Sequence, residues 1–192
     1  MGYYKNAKKL DYEEEFLKSI IYNRYRPDSN YSKVKNKMEF IIFLSKLDKE
    51  ILDLLIKANY EVEENKIECL LNKEIKGLHN FVENKIIICT ENAKRKTNYR
   101  NEKQRPNKDN FKTKLAIRKA LRHEATHAIQ KCNNNKTVGD IKNLEDKLHQ
   151  SKKRSLEFST SNFSGTYAKE VEAYILEEKP KKVKNMIEKY CL

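Results

Sequence analysis

Five consecutive residues, His123-Glu124-Ala125-Thr126-His127, have the types and spacing of a metal site. On a helix, two imidazoles four residues apart lie on one face, one turn apart, close enough to share one ion. Neutral imidazole nitrogen is a good zinc ligand. Glu124, beside the first histidine, is placed to accept a proton from a water that zinc activates, while the ion also polarises a peptide carbonyl. The chain holds only 4 His, so this pattern arises by chance in roughly one chain in a hundred of such composition. The chemistry expected is zinc-dependent peptide-bond hydrolysis, with Zn2+ as cofactor and a peptide or protein as substrate. A pair of structural histidines is the plain alternative.

Zinc of this kind takes three protein ligands and leaves a fourth position open. His123 and His127 supply two. The third is not the histidine of an extended metzincin motif, because Gln130 and Asn133 stand where its Gly and His would be. Two sources remain: His149, or a carboxylate of Lys169-Glu170-Val171-Glu172-Ala173-Tyr174. Oxyanion donors are sought among Tyr174, Tyr167, Arg122 and His79.

The second half of the motif carries a resemblance. Zincin families with a Glu third ligand have a downstream helix of the form Glu-x-x-Ala, and Glu170 to Ala173 is similar to it. The resemblance implies that Glu170 is the ligand. Helical geometry adds that Glu170, Ala173 and Tyr174 share a face, from which Glu172 is rotated away. A narrower likeness covers Ile86-Ile87-Ile88-Cys89-Thr90-Glu91-Asn92, His123-Glu124-x-x-His127-Ala128 and Cys132. These resemble the metalloprotease family that processes an ATP synthase subunit in mitochondria, though Gln130 replaces an acidic residue and the Cys-rich N-terminal part is missing. The end of the chain, Glu172-Ala173-Tyr174 through Pro180 to Cys191, resembles small HExxH proteins of cyanobacterial type. In the zincin fold the strand before the active-site helix is the sheet edge that holds an extended peptide. That implies substrate binding by Ile87, Ile88 and Cys89; a buried strand is the alternative.

The elements that must position these residues are mostly helical. Apolar spacing predicts helices over 11–25, 35–58 and 112–131, the last with Ile117, Leu121, Ala125, Ala128 and Ile129 as its core stripe. A polar helix over 140–153, a helix over 167–177 capped by Thr166, and one after Pro180 follow. Gly77 and Asn80 read as a turn, Lys85 to Thr90 as a strand, 91–110 as an exposed basic loop, and 155–165 as a Ser- and Thr-rich loop. Glu177 and Glu178 read as a solvated face. The fold class expected is α+β, mainly helical: a zincin-like domain with a small sheet packed on the HExxH helix. Residues 1–60 form an N-terminal helical region packed on the core, and 61–192 form the metal-binding domain, the two making one unit.

Composition limits the alternatives. The net charge of +13 invites nucleic acid, but 41 basic residues are spread along the chain and interleaved with 28 acidic ones. Nucleic acid is therefore an unlikely partner. Met38 to Ala58, the most apolar run, is broken by charges and spans no membrane. No apolar signal core opens the chain, so the default location is cytoplasmic. Cys69, Cys89, Cys132 and Cys191 contain no CxxC pair and read as buried thiols, with Cys132 and Cys191 pairing only in an oxidising compartment. Two rivals stand beside the peptidase: an inactive zincin-like protein that binds a partner, and a basic helical interaction protein without metal.

Overall fold

Ser45 starts the first long helix by closing a capping box: its hydroxyl accepts from the Asp48 N–H, and the Asp48 carboxylate accepts from the Ser45 N–H. The box divides the single helix expected over 35–58 into a short 3-10 turn, Glu39–Phe43, and α1, Lys46–Lys57. The computed structural model describes residues 38–98, 110–139, 148–162 and 167–192. The helix expected over 11–25, the Thr166 cap and most of the 91–110 and 140–147 segments lie outside them.

After α1 come β1 (Glu61–Glu64), α2 (Ile67–Leu71), β2 (Gly77–Asn80), β3 (Lys85–Ile88) and α3 (Thr90–Lys96). The long helix α4 (Phe111–Cys132) follows, then α5 (Gln150–Asn162), α6 (Tyr167–Leu176) and α7 (Pro180–Tyr190), which has proline at its start. The fold is mainly helical with one small sheet. Met38–Leu192 form one compact unit, in which residues 38–60 pack with the rest.

Hydrophobic spacing accounts for the core. Ile117, Leu121, Ala125, Ala128 and Ile129 are buried as one stripe of α4. They meet Ile51 and Leu55 of α1, Ile86 and Ile88 of β3, and Val183 and Ile187 of α7. Alternation along β3 turns Ile87 to the other face of the sheet, against Cys69, Cys89, Ile75 and Leu78. A buried ion pair ties the layers together. Arg122 of α4 donates to Asp48 of α1 at 2.6 and 3.1 Å and to the Glu177 carbonyl at 3.1 Å.

Several expectations need correction. β3 is the central strand, parallel to β1 and antiparallel to β2. Ile87, Ile88 and Cys89 are buried, and β3 has a strand on each side, so these residues offer no edge to a peptide. Gly77–Asn80 is not a turn but the edge strand β2; the turn follows it at 81–84. The start of the expected basic loop is α3, and the Ser- and Thr-rich stretch lies largely in α5, where Leu156 is buried against Leu148 and Val171. The cysteines are not thiols: Cys69–Cys89 and Cys132–Cys191 are disulfides. Tertiary proximity makes both pairs, and neither leaves a local spacing signal.

Candidate metal centre

α4 presents its other face to a cavity of about 830 Å³, and His123 and His127 stand one turn apart in its wall. α6 crosses α4 and brings the buried Glu170 to the same point. The His123 and His127 Nε2 atoms lie 3.2 Å apart. Carboxylate oxygens of Glu170 lie 3.3 Å from the first and 3.2 Å from the second. A tetrahedral zinc with bonds of about 2.0–2.1 Å sets its ligand atoms about 3.3 Å apart. Glu170 Oε2 is buried without a hydrogen-bond donor, which leaves a lone pair for a cation. Among the described residues, His123, His127 and Glu170 are the group whose ligand atoms converge within 4.8 Å. These residues fit a zinc ion.

Neighbouring side chains orient the imidazoles. Gln130 Nε2 donates to the Lys169 carbonyl at 3.0 Å and to Glu172 at 2.9 Å. Its Oε1 must then accept, and it lies 2.9 Å from His127 Nδ1. His127 therefore carries its proton on Nδ1 and offers the Nε2 lone pair to the cluster. His123 Nδ1 is 3.4 Å from the buried Glu177 carboxylate, an ion-pair contact, and Lys152 pairs with that carboxylate from the other side. Glu177 is thus part of the site and not a solvated surface acid.

The electrostatics favour positive charge at this point. Burial lowers the His123 pKa, but contacts with Glu170 and Glu177 outweigh it and hold the value well above that of a free imidazole. Burial raises Glu170, yet both histidines pull it below the usual carboxylate range. The cluster is built to surround a cation, whether a proton or a metal.

Glu124 lies in the same cavity. Burial pushes its carboxyl up, and the two imidazoles oppose that. Its side chain lies against Gly77 of β2: a Cβ there would fall 2.7 Å from Glu124 Oε1 and 2.8 Å from its Cγ. Glycine is required at 77 for this approach, not for an unusual backbone angle.

The other expected residues divide. Tyr174 lines the cavity, with its ring 4.6 Å from that of His123 and its hydroxyl 3.0 Å from Ser159 Oγ. His79 lines it too, stacked on His127 at 6.4 Å, with Nε2 buried and without a hydrogen-bond partner. Burial, with smaller contributions from His127 and Lys131, lowers its pKa to about 3. Arg122 is engaged by Asp48, and Tyr167 is exposed and does not line the cavity. Glu172 is no ligand: it accepts from the backbone of Val138 at 2.9 Å and Gly139 at 2.7 Å, and from Gln130. His149 is exposed and outside the cluster.

Sequence reasoning missed Gln130, Glu177 and Gly77. Gln130 sits three residues after His127, and Glu177 two turns after Glu170 on the same helical face, so helical spacing held a signal for both. No curated protein and no solved structure matches the chain. A family match does exist: residues 40–192 match the family described as Domain of unknown function (DUF8637), and the chain belongs to that family.

Proposed function

We propose that this chain is a zinc-dependent peptidase of the zincin type. The observation that carries the reading is the convergence of His123, His127 and Glu170, with the His127 ring oriented by Gln130, in a cavity that also holds Glu124. Zinc in such a site supplies a Lewis acid and a water of lowered pKa. Glu124 takes the proton of the attacking water and passes it to the departing amine. Burial, which favours its neutral form, suits it to holding that proton between the two steps. Tyr174 and His79 flank the cluster as donors to the developing oxyanion. If Ser159 donates to Tyr174, the phenolic proton remains available for that purpose.

The edge of β2 is the surface suited to an extended substrate. The Cys89 N–H donates to the Lys76 carbonyl at 2.9 Å, so residues 76, 78 and 80 exchange hydrogen bonds with β3. The backbones of Gly77 and His79 then point to the outer side, where no described strand pairs with β2. Their side-chain directions face Glu124 and His127. A peptide added as a strand at this edge passes the cluster.

Two disulfides favour an oxidising compartment over the cytoplasm. No described helix is long and apolar enough to cross a membrane.

Glu124→Gln tests the reading. The variant is expected to keep its zinc and lose peptide cleavage by about a hundredfold or more. Cleavage of a mixed peptide library at the wild-type rate by the zinc-loaded variant would overturn it.

A further inference from the structure

The cavity wall carries both exposed apolar side chains and basic ones. Phe81 and Val82, both exposed, line it near the β2–β3 turn, where Lys131 packs over the Phe81 ring. Lys76, Lys96, Lys119 and Lys152 line it elsewhere, together with the N-terminal half of α4 at Ala116 and Ala120. Three of these four lysines have carboxylate partners: Lys96 pairs with Glu74, Lys119 with Glu178 and Lys152 with Glu177.

Lys76 has no ion pair among the described residues. It is half-buried at the entrance to β2, directly before Gly77. Burial and the nearby ammonium groups of Lys96 and Lys152 disfavour its charge, while Glu177 and Glu74 only partly offset them. A half-buried cation beside two others, in a cavity wall, is stabilised by an anion from outside the chain. The cation lies one residue from the strand edge along which a peptide would run.

We propose that Lys76, backed by Lys96 and Lys152, forms a subsite for a carboxylate of the bound peptide, supplied by an Asp or Glu side chain or by the peptide C-terminus. The proposal rests on reading the cavity as a peptide site, but not on turnover. The subsite makes the cavity selective: an acidic group is drawn to the lysines, and apolar residues suit Phe81 and Val82. Charge attraction of this kind weakens with salt.

The test is equilibrium binding of fluorescent hexapeptides to the full-length, zinc-loaded Glu124→Gln protein, read by anisotropy. The first peptide carries an interior Glu and an amidated C-terminus. The second has Gln in its place and is amidated. The third is the Gln peptide with a free C-terminus. At least one carboxylate peptide is expected to bind about tenfold more tightly than the amidated Gln peptide. Which one does so identifies the source of the carboxylate. Lys76→Gln is expected to erase the difference and Lys76→Arg to retain it, both with unchanged zinc content and melting temperature. Equal binding of all three peptides, absence of binding, or a preference that survives Lys76→Gln would overturn the subsite. Turnover by the wild-type protein is scored separately, so a carboxylate preference without turnover would refute the peptidase and leave the subsite standing.

Discussion

Gln130 and Glu177 decide what the two histidines can do. Gln130 holds His127 Nδ1 by a hydrogen bond, Glu177 lies beside His123 Nδ1 in an ion-pair contact, and both Nε2 atoms face Glu170. Loss of such an outer partner typically costs about ten- to a hundredfold in metal affinity. Gln130→Leu and Glu177→Gln are each expected to weaken zinc binding by that order, measured by competition with a chromophoric chelator, without unfolding the chain. Gly77→Ala acts differently. Its methyl group displaces Glu124, so zinc content is expected to persist while the cleavage rate falls; unchanged cleavage would mean that the Glu124 position does not matter. Proton linkage follows from His123, whose pKa is raised in the metal-free chain. The stabilisation from its proton is full below the ordinary histidine range and is lost as pH rises through the raised value. Zinc competes with that proton, so its affinity is expected to rise with pH across this range, with about one proton released per ion bound. The histidine pair and Glu124 were legible because four-residue spacing on a helix is local. Gln130 and Glu177 lie at helical spacing from His127 and Glu170, a signal that becomes legible only once their buried partners are known, while Gly77 acts across a strand and a helix and leaves no local signal.

At the scale of elements, non-local pairing explains what could be read and what could not. The α4 stripe was plain from its period. The run Ile86-Ile87-Ile88 also held a signal: three consecutive apolar residues suit a strand covered on both faces, which is a central strand and not an edge. β2, four residues containing Gly and Asn, shows its strand character only through its partner β3. Turns were hidden by another substitution. The chain has 4 Gly, and Asn59, Asn65, Asn84, Asn98, Asn134 and Asn135 take the left-handed backbone angles where glycine is usual. The Asp48 carboxylate serves two elements, closing the α1 cap and pairing with Arg122 of α4. Asp48→Ala leaves a buried guanidinium without its partner and is expected to cost about 3–5 kcal/mol in chemical denaturation. A loss under 1 kcal/mol, the order of an exposed ion pair, would show that the pair is not holding α1 to α4.

For the whole molecule, the disulfides set the frame. Cys132–Cys191 joins the end of α4 to the residue after α7 and closes a span of 59 residues that includes Glu170. Cys69–Cys89 closes 20 residues and ties α2 to the end of β3. Chain entropy gives such links about 3–4 kcal/mol each, the longer loop more. Reductant is expected to lower the melting temperature, and loss of Cys132–Cys191 to do so more than loss of Cys69–Cys89; a melt unchanged by reductant would contradict this. Charge is likewise a property of the whole. The net +13 was visible in the sequence, but which lysines line the cavity, Lys96 of α3, Lys119 of α4 and Lys152 of α5 among them, is set by the fold. The most direct measurement is elemental analysis of the purified full-length protein, wild type beside His123→Ala, Glu170→Ala and Glu172→Ala. The proposed zinc centre requires about one zinc per chain in the wild type and Glu172→Ala, and little in the other two. A wild type that takes up no zinc, or a Glu170→Ala variant that holds it as tightly, would contradict it.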